Sequence, residues 1–111
     1  MELKSEAQGD LHVVTVLAGR LDAAVAIRFK ETMRTVIDQA QTDIVLGLGQ
    51  VAFIDSSGLG AIVASMKLMP QGAKMALAGL TPAVDKVFRM TRMDSIFTIY
   101  STAQDALAAR A

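Results

Sequence analysis

The chain has 111 residues, 52% of them hydrophobic, with eleven basic side chains balanced by eleven acidic ones. That length fits one domain, the apolar share fills one core, and the absence of net charge argues against disorder and against broad electrostatic binding to nucleic acid. No cysteine is present and His12 is the only histidine, so disulfides, thiolate metal sites and cysteine catalysis are excluded and a histidine-based dyad has a single possible base.

The opening MELKSEAQGD lacks the apolar core of a signal peptide, and no apolar run reaches the length of a membrane span, so a cytoplasmic chain is expected. Residues 2–7 and LHVVTVLAG (11–19) read as an edge strand and a buried strand joined by a Gly9-Asp10 turn. From Asp22, placed as an N-cap, Val25, Phe29, Met33, Val36, Ile37 and Ala40 form the apolar stripe of a helix. Arg28, Glu31, Arg34 and Asp38 take its other face.

DIVLGLG (43–49) is apolar enough to be a strand covered on both sides. Ser56 or Ser57 then begins a helix that runs to about Met69, where Pro70-Gln71-Gly72 ends it. KMALAG (74–79) reads as a strand. Thr81-Pro82 reads as a capping hydroxyl and a first-turn proline, opening a helix that turns Val84, Val87 and Phe88 inward. SIFTIY (95–100) reads as a last strand, and Ser101 or Thr102 caps an alanine-rich helix. After an initial hairpin, strands and helices alternate, which predicts an α/β fold: a mostly parallel sheet with an antiparallel edge strand and helices packed on it.

The stretch that asks for chemistry is VAFIDSSGLGAIVASMK (51–67). An acid, two hydroxyls and Gly-Leu-Gly stand where a strand gives way to a helix, at the sheet edge where α/β proteins place functional groups. It lacks the glycine spacing and Lys-Ser ending of a phosphate loop, and the Gly-x-Ser-x-Gly order of a hydrolase elbow. Two readings stay open. In one, a serine is simply the helix cap, a contribution of roughly 1 kcal/mol. In the other, a serine accepts a phosphoryl group, with Gly58 and Gly60 leaving the first turn bare for another molecule to approach. On the helix that follows, Leu59, Ile62, Val63 and Met66 suit the sheet, while Gly60, Ala61, Ala64 and Ser65 offer a small surface to a partner or to another element of the same domain. Lys86, Arg89 and Arg92 read as a solvated helix face, and the seven methionines as core filler and helix-end packing.

FIDSSGLGAIV (53–63) resembles the signature of STAS-domain anti-sigma factor antagonists. The likeness extends to GRLDA (19–23), to DIVLGLGQ ahead of the turn, and to GLTPAVDKVFRMTRMDSIFTIY (79–100), nearly the whole chain. Gly47 stands where many relatives carry a polar residue, and Val25 where a threonine is common. The resemblance implies a single STAS domain over 1–111, no enzyme activity, no cofactor and no metal. It implies phosphorylation of Ser56, with Asp22, Asp55, Ser57, Gly58, Leu59 and Gly60 forming the partner-binding switch site. The partners it implies are a serine-kinase anti-sigma factor and a serine phosphatase, with neither nucleic acid nor membrane. The alternative is a STAS subunit that docks on a transporter or signalling scaffold without a phosphorylation switch.

Overall fold

A computed structural model describes residues 2–110. Strand β1 (Leu3–Gln8) pairs antiparallel with β2 (Leu11–Val16), with Gln8 opposite Leu11. The two-residue connection works because Gly9 takes φ +66°, a conformation that suits the twist of a tight hairpin. Beside β2 lie β4 (Asp43–Gly47), β6 (Met75–Ala78) and β7 (Ile99–Tyr100), all parallel, giving the order β1-β2-β4-β6-β7.

Alternation along the strands sends side chains to two cores. Val14, Val16, Ile44, Leu46, Met75 and Leu77 meet Phe29, Met33 and Ile37 of α1 (Ala26–Ala40). The same cluster takes Ala61 and Ile62 of α2 (Ser56–Met66) and Val84 and Phe88 of α3 (Pro82–Met90). Leu11, Val45 and Ala78 face the other way and meet Ala106 of α4 (Ala103–Ala108). Thr102 caps α4 as expected, its hydroxyl accepting from the Asp105 amide at 3.1 Å.

Two very short strands lie beyond the carboxyl ends of β2 and β4. β3 (Arg20–Leu21) pairs in parallel with β5 (Phe53–Ile54), Arg20 opposite Phe53 and Leu21 opposite Ile54. Sequence patterning carries β2 on to residue 19 and leaves 50–55 as a lead-out, because two residues are too few to show a period.

Other boundaries also move. α1 starts at Ala26, after a preliminary turn in which the Asp22 carbonyl accepts from the Val25 and Ala26 amides. α2 stops at Met66, short of Met69, in keeping with the bias against helix just before Pro70. Thr81 precedes α3, but its hydroxyl donates to the Val51 carbonyl at 2.8 Å and does not cap the helix. Only Ile99–Tyr100 of the 95–100 segment is strand. Met93–Ser95 is a 3-10 turn, and Phe97 is drawn into the core edge-on to Phe88, ring centroids 6.1 Å apart.

Candidate switch site

β5 delivers Asp55 to the N-terminus of α2, and Asp55, in extended conformation, is the cap of that helix. Its Oδ1 accepts from the Gly58 amide at 3.0 Å. The expectation of a serine cap is therefore corrected: Ser56 and Ser57 are the first two helical residues, and an acid, with two acceptor oxygens, takes the capping role. Both serines are exposed, and neither hydroxyl makes a hydrogen bond among the described residues.

Asp55 uses its second oxygen differently. Oδ2 accepts from the Ala23 amide at 3.2 Å, so one carboxylate ties the start of α2 to the β3–α1 turn. The Gly58 amide lowers the Asp55 pKa most; partial burial opposes it, and the Ala23 and Ser57 amides and the charge of Arg20 add to the lowering. The group is a carboxylate throughout the neutral range.

Asp22 stands on the tied turn. Its Oδ1 accepts from the Ala24 amide at 3.1 Å and its Oδ2 from Arg20 Nε at 3.1 Å. The structure thus links the two acids singled out in the sequence, Asp55 through Ala23 and Asp22 beside it. Arg20 also lies over the Phe53 ring, its guanidinium carbon 4.3 Å from the centroid. Sequence reasoning missed Arg20 and Phe53, because only the β3–β5 pairing reveals that they meet.

The two glycines have opposite surroundings. Gly58 is buried, and a Cβ added to it would stand 2.0 Å from the Leu21 carbonyl oxygen. That same oxygen accepts from the Asp55 amide at 3.2 Å. The missing side chain at 58 lets α2 close on β3; it does not open a path for a partner. Gly60 is exposed, with nothing within 4 Å of the place a Cβ would occupy, and it fits the bare surface expected. Leu59 is half-buried against the helix-side core. Ala61 and Ser65 are buried, the Ser65 hydroxyl donating to the Ala61 carbonyl at 2.8 Å, so of Gly60, Ala61, Ala64 and Ser65 only Gly60 and part of Ala64 reach the surface.

The turn presents groups outward and does not enclose a substrate. A cavity of about 280 Å³ lies at the opposite, amino edge of the sheet, among Leu11, Asp43, Met69, Met75, Tyr100 and Arg110. No group of three or more His, Asp or Glu side chains among the described residues could hold a metal ion, and no helix there is long and apolar enough to cross a membrane. Arg89 is paired with Asp85 at 2.8 Å and Asp94 at 3.5 Å, in keeping with a solvated face on α3.

Comparison with known proteins gives this architecture its relatives. The chain is 34% identical over 110 residues to the anti-sigma F factor antagonist of Paenibacillus polymyxa, covering 96% of this chain and 94% of that protein. The crystal structure of an anti-sigma factor antagonist from Mycobacterium paratuberculosis matches with a TM-score of 0.87 at 25% identity, over 97% of this chain and 92% of that one. The Bacillus cell fate determinant SpoIIAA in its phosphorylated form shares the fold at a TM-score of 0.69 and 22% identity, over 99% of this chain and all of that one. The STAS domain model matches residues 3–106, and the chain belongs to the STAS domain family.

Proposed function

We propose that this chain is a single STAS domain working in the cytoplasm as an anti-sigma factor antagonist, a binding module switched by reversible phosphorylation of Ser56. The observation that carries the reading is the exposed, unbonded hydroxyl of Ser56 on a turn that Asp55 fixes from both sides. Exposure does not separate Ser56 from Ser57; the motif order of the family selects Ser56. The homology to a named anti-sigma F factor antagonist supports the class of partner.

In this reading the unmodified protein binds a serine kinase that is also an anti-sigma factor, and so frees the sigma factor. The kinase then transfers the γ-phosphoryl of ATP: an Oγ–P bond forms at Ser56, the bond to the ADP oxygen breaks, and the hydroxyl proton passes to the partner's base. ATP, metal and base belong to the kinase, so the chain itself is no enzyme and needs no cofactor. A serine phosphatase hydrolyses the ester and resets the switch. Asp22, Asp55, Ser57, Gly58, Leu59 and Gly60 surround the acceptor, in different capacities. Asp55 and Gly58 hold the turn, Leu59 anchors it in the core, and Ser57, Gly60 and Asp22 lie at the docking surface.

The added group carries about −1.5 to −2 charges at neutral pH. It arrives at a helix N-terminus, which favours it, beside Asp55 and Asp22, which oppose it. These influences offset each other within the domain, so the fold is retained and the effect falls on the partner, through bulk and through repulsion from any carboxylate that faces the turn. The test is incubation with candidate serine kinases and ATP, followed by a phosphopeptide map and phosphatase treatment. Label on Ser56 that the phosphatase removes supports the reading; label confined to Ser57 overturns the residue assignment. Retention of every partner by the Ser56→Asp variant would instead favour a docking subunit without a switch.

A further inference from the structure

Arg20 is an exposed cation at the switch turn with no place in the scheme above. The parallel pairing sets it level with Phe53, three residues before Ser56. Two contacts hold its guanidinium in place: the Phe53 ring at 4.3 Å and the Asp22 carboxylate on Nε at 3.1 Å. Its two terminal nitrogens donate no hydrogen bond among the described residues. A guanidinium fixed in this way has already lost much of the freedom that a long side chain gives up on binding, and its fork of donors matches a phosphoryl group in shape and charge.

The other charges bonded into the turn are negative: Asp22 from the β3–α1 turn and Asp55 from the cap of α2. Of the three cations of α1, Lys30 and Arg34 gather with Ala64 of α2 and with Leu68 just beyond it, and Arg28, exposed in the first turn, is bonded to neither acid of the switch turn; Lys67 is at the far end of α2. Arg20 is thus the cation that is bonded into this turn, through Asp22, and its charge is felt at Asp55.

We propose that Arg20 is the internal counter-ion of the phosphorylated switch, donating its terminal nitrogens to phosphoryl oxygens carried by Ser56. This rests on Ser56 as the acceptor and deepens that reading. It accounts for how a doubly charged group sits beside two carboxylates without opening the turn. It also assigns Phe53 a role, as the platform that keeps the guanidinium within reach while the hydroxyl is free.

The experiment installs phosphoserine at position 56 directly, without a kinase, and follows its phosphorus resonance as a function of pH in the full chain. A phosphoserine ordinarily loses its second proton near pH 6. A facing guanidinium favours the dianion, so the Arg20→Gln variant should titrate about half a pH unit higher than the chain with Arg20. Arg20→Lys, which keeps the charge and loses the fork, should fall between them. In the unsubstituted chain the Arg20 Nε–H resonance should move with the same midpoint. Coincident titration curves for the unsubstituted chain and the Arg20→Gln variant, or an Nε–H resonance indifferent to the phosphate, would overturn the proposal. Because no kinase is used, a kinase that labels some other residue would sink the functional reading and leave this titration to stand or fall by itself.

Discussion

The two ends of the sheet treat their polar groups in opposite ways. At the amino edge the charges are tied: Arg110 donates to both oxygens of Asp10 at 3.1 and 2.8 Å and to Asp43 at 2.6 Å, and the other oxygen of Asp43 accepts from the Lys74 amide at 2.8 Å. These bonds join the residues just before β2 and β6 and the first residue of β4 to the segment that follows α4. At the carboxyl edge Asp55 is engaged entirely with backbone amides, and it leaves the hydroxyls of Ser56 and Ser57 free beside it. The first arrangement closes the chain. The second makes the main chain rigid in order to keep two side chains available, which is what a docking and modification surface needs.

If that contrast is right, the most damaging small change is Gly58→Ala. At an exposed helical site alanine gains about 1 kcal/mol over glycine. Here the new methyl meets the Leu21 carbonyl, and α2 must move away from β3. A net loss of about 3 kcal/mol in denaturant unfolding is expected. Next comes Asp55→Ala, which leaves the Gly58 and Ala23 amides without their acceptor. It should lower Tm by several degrees and speed hydrogen exchange at those two amides, while Asp55→Asn, which keeps one acceptor oxygen for the Gly58 amide and turns an NH2 donor toward the Ala23 amide, restores only the capping part of the loss.

Arg110→Ala probes the closed end, where exposed ion pairs contribute little each, and a loss of about 1 kcal/mol at neutral pH is expected. Its pH dependence is the sharper signature. Arg110 lowers the pKa of Asp10 by hydrogen bonding; at Asp43 burial pushes upward, but Arg110 and the Lys74 amide together outweigh it. The stabilisation is therefore complete above the ordinary carboxylate range and disappears as pH falls through the lowered values. Unfolding of the two proteins should differ at pH 7 and converge in acid, once the pH has fallen below the ordinary carboxylate range and through the lowered values. The smallest effect is Gly60→Ala, where open space surrounds the position: a gain of about 0.5–1 kcal/mol by thermal unfolding is expected. Opposite signs at positions 58 and 60 would show that one glycine serves the fold and the other leaves surface bare.

The same contrast marks what the sequence made legible. α1 can be read because Phe29, Met33 and Ile37 repeat on one face, and all three are buried. The turn can be read because its acid, hydroxyls and glycines are contiguous. What escapes depends on contacts between distant segments. Gly58 reads as open surface because nothing local shows that Leu21 lies against it. Ser56 reads as a cap because serine and aspartate compete for that position, and only the backbone bond from Gly58 decides between them. SIFTIY carries strand-forming residues, yet burial of Phe97 against Phe88 bends its first half out of the sheet.

The direct measurement is a calorimetric titration of the cognate serine kinase with the unsubstituted chain and with Ser56→Asp, after both have been shown to melt together. Like charges 4 Å apart near a surface cost about 4 kcal/mol, and each 1.4 kcal/mol is tenfold in affinity, so the variant should bind roughly two to three orders of magnitude more weakly. Equal affinity would contradict the account, because a negative charge on that oxygen-bearing position would then leave docking untouched.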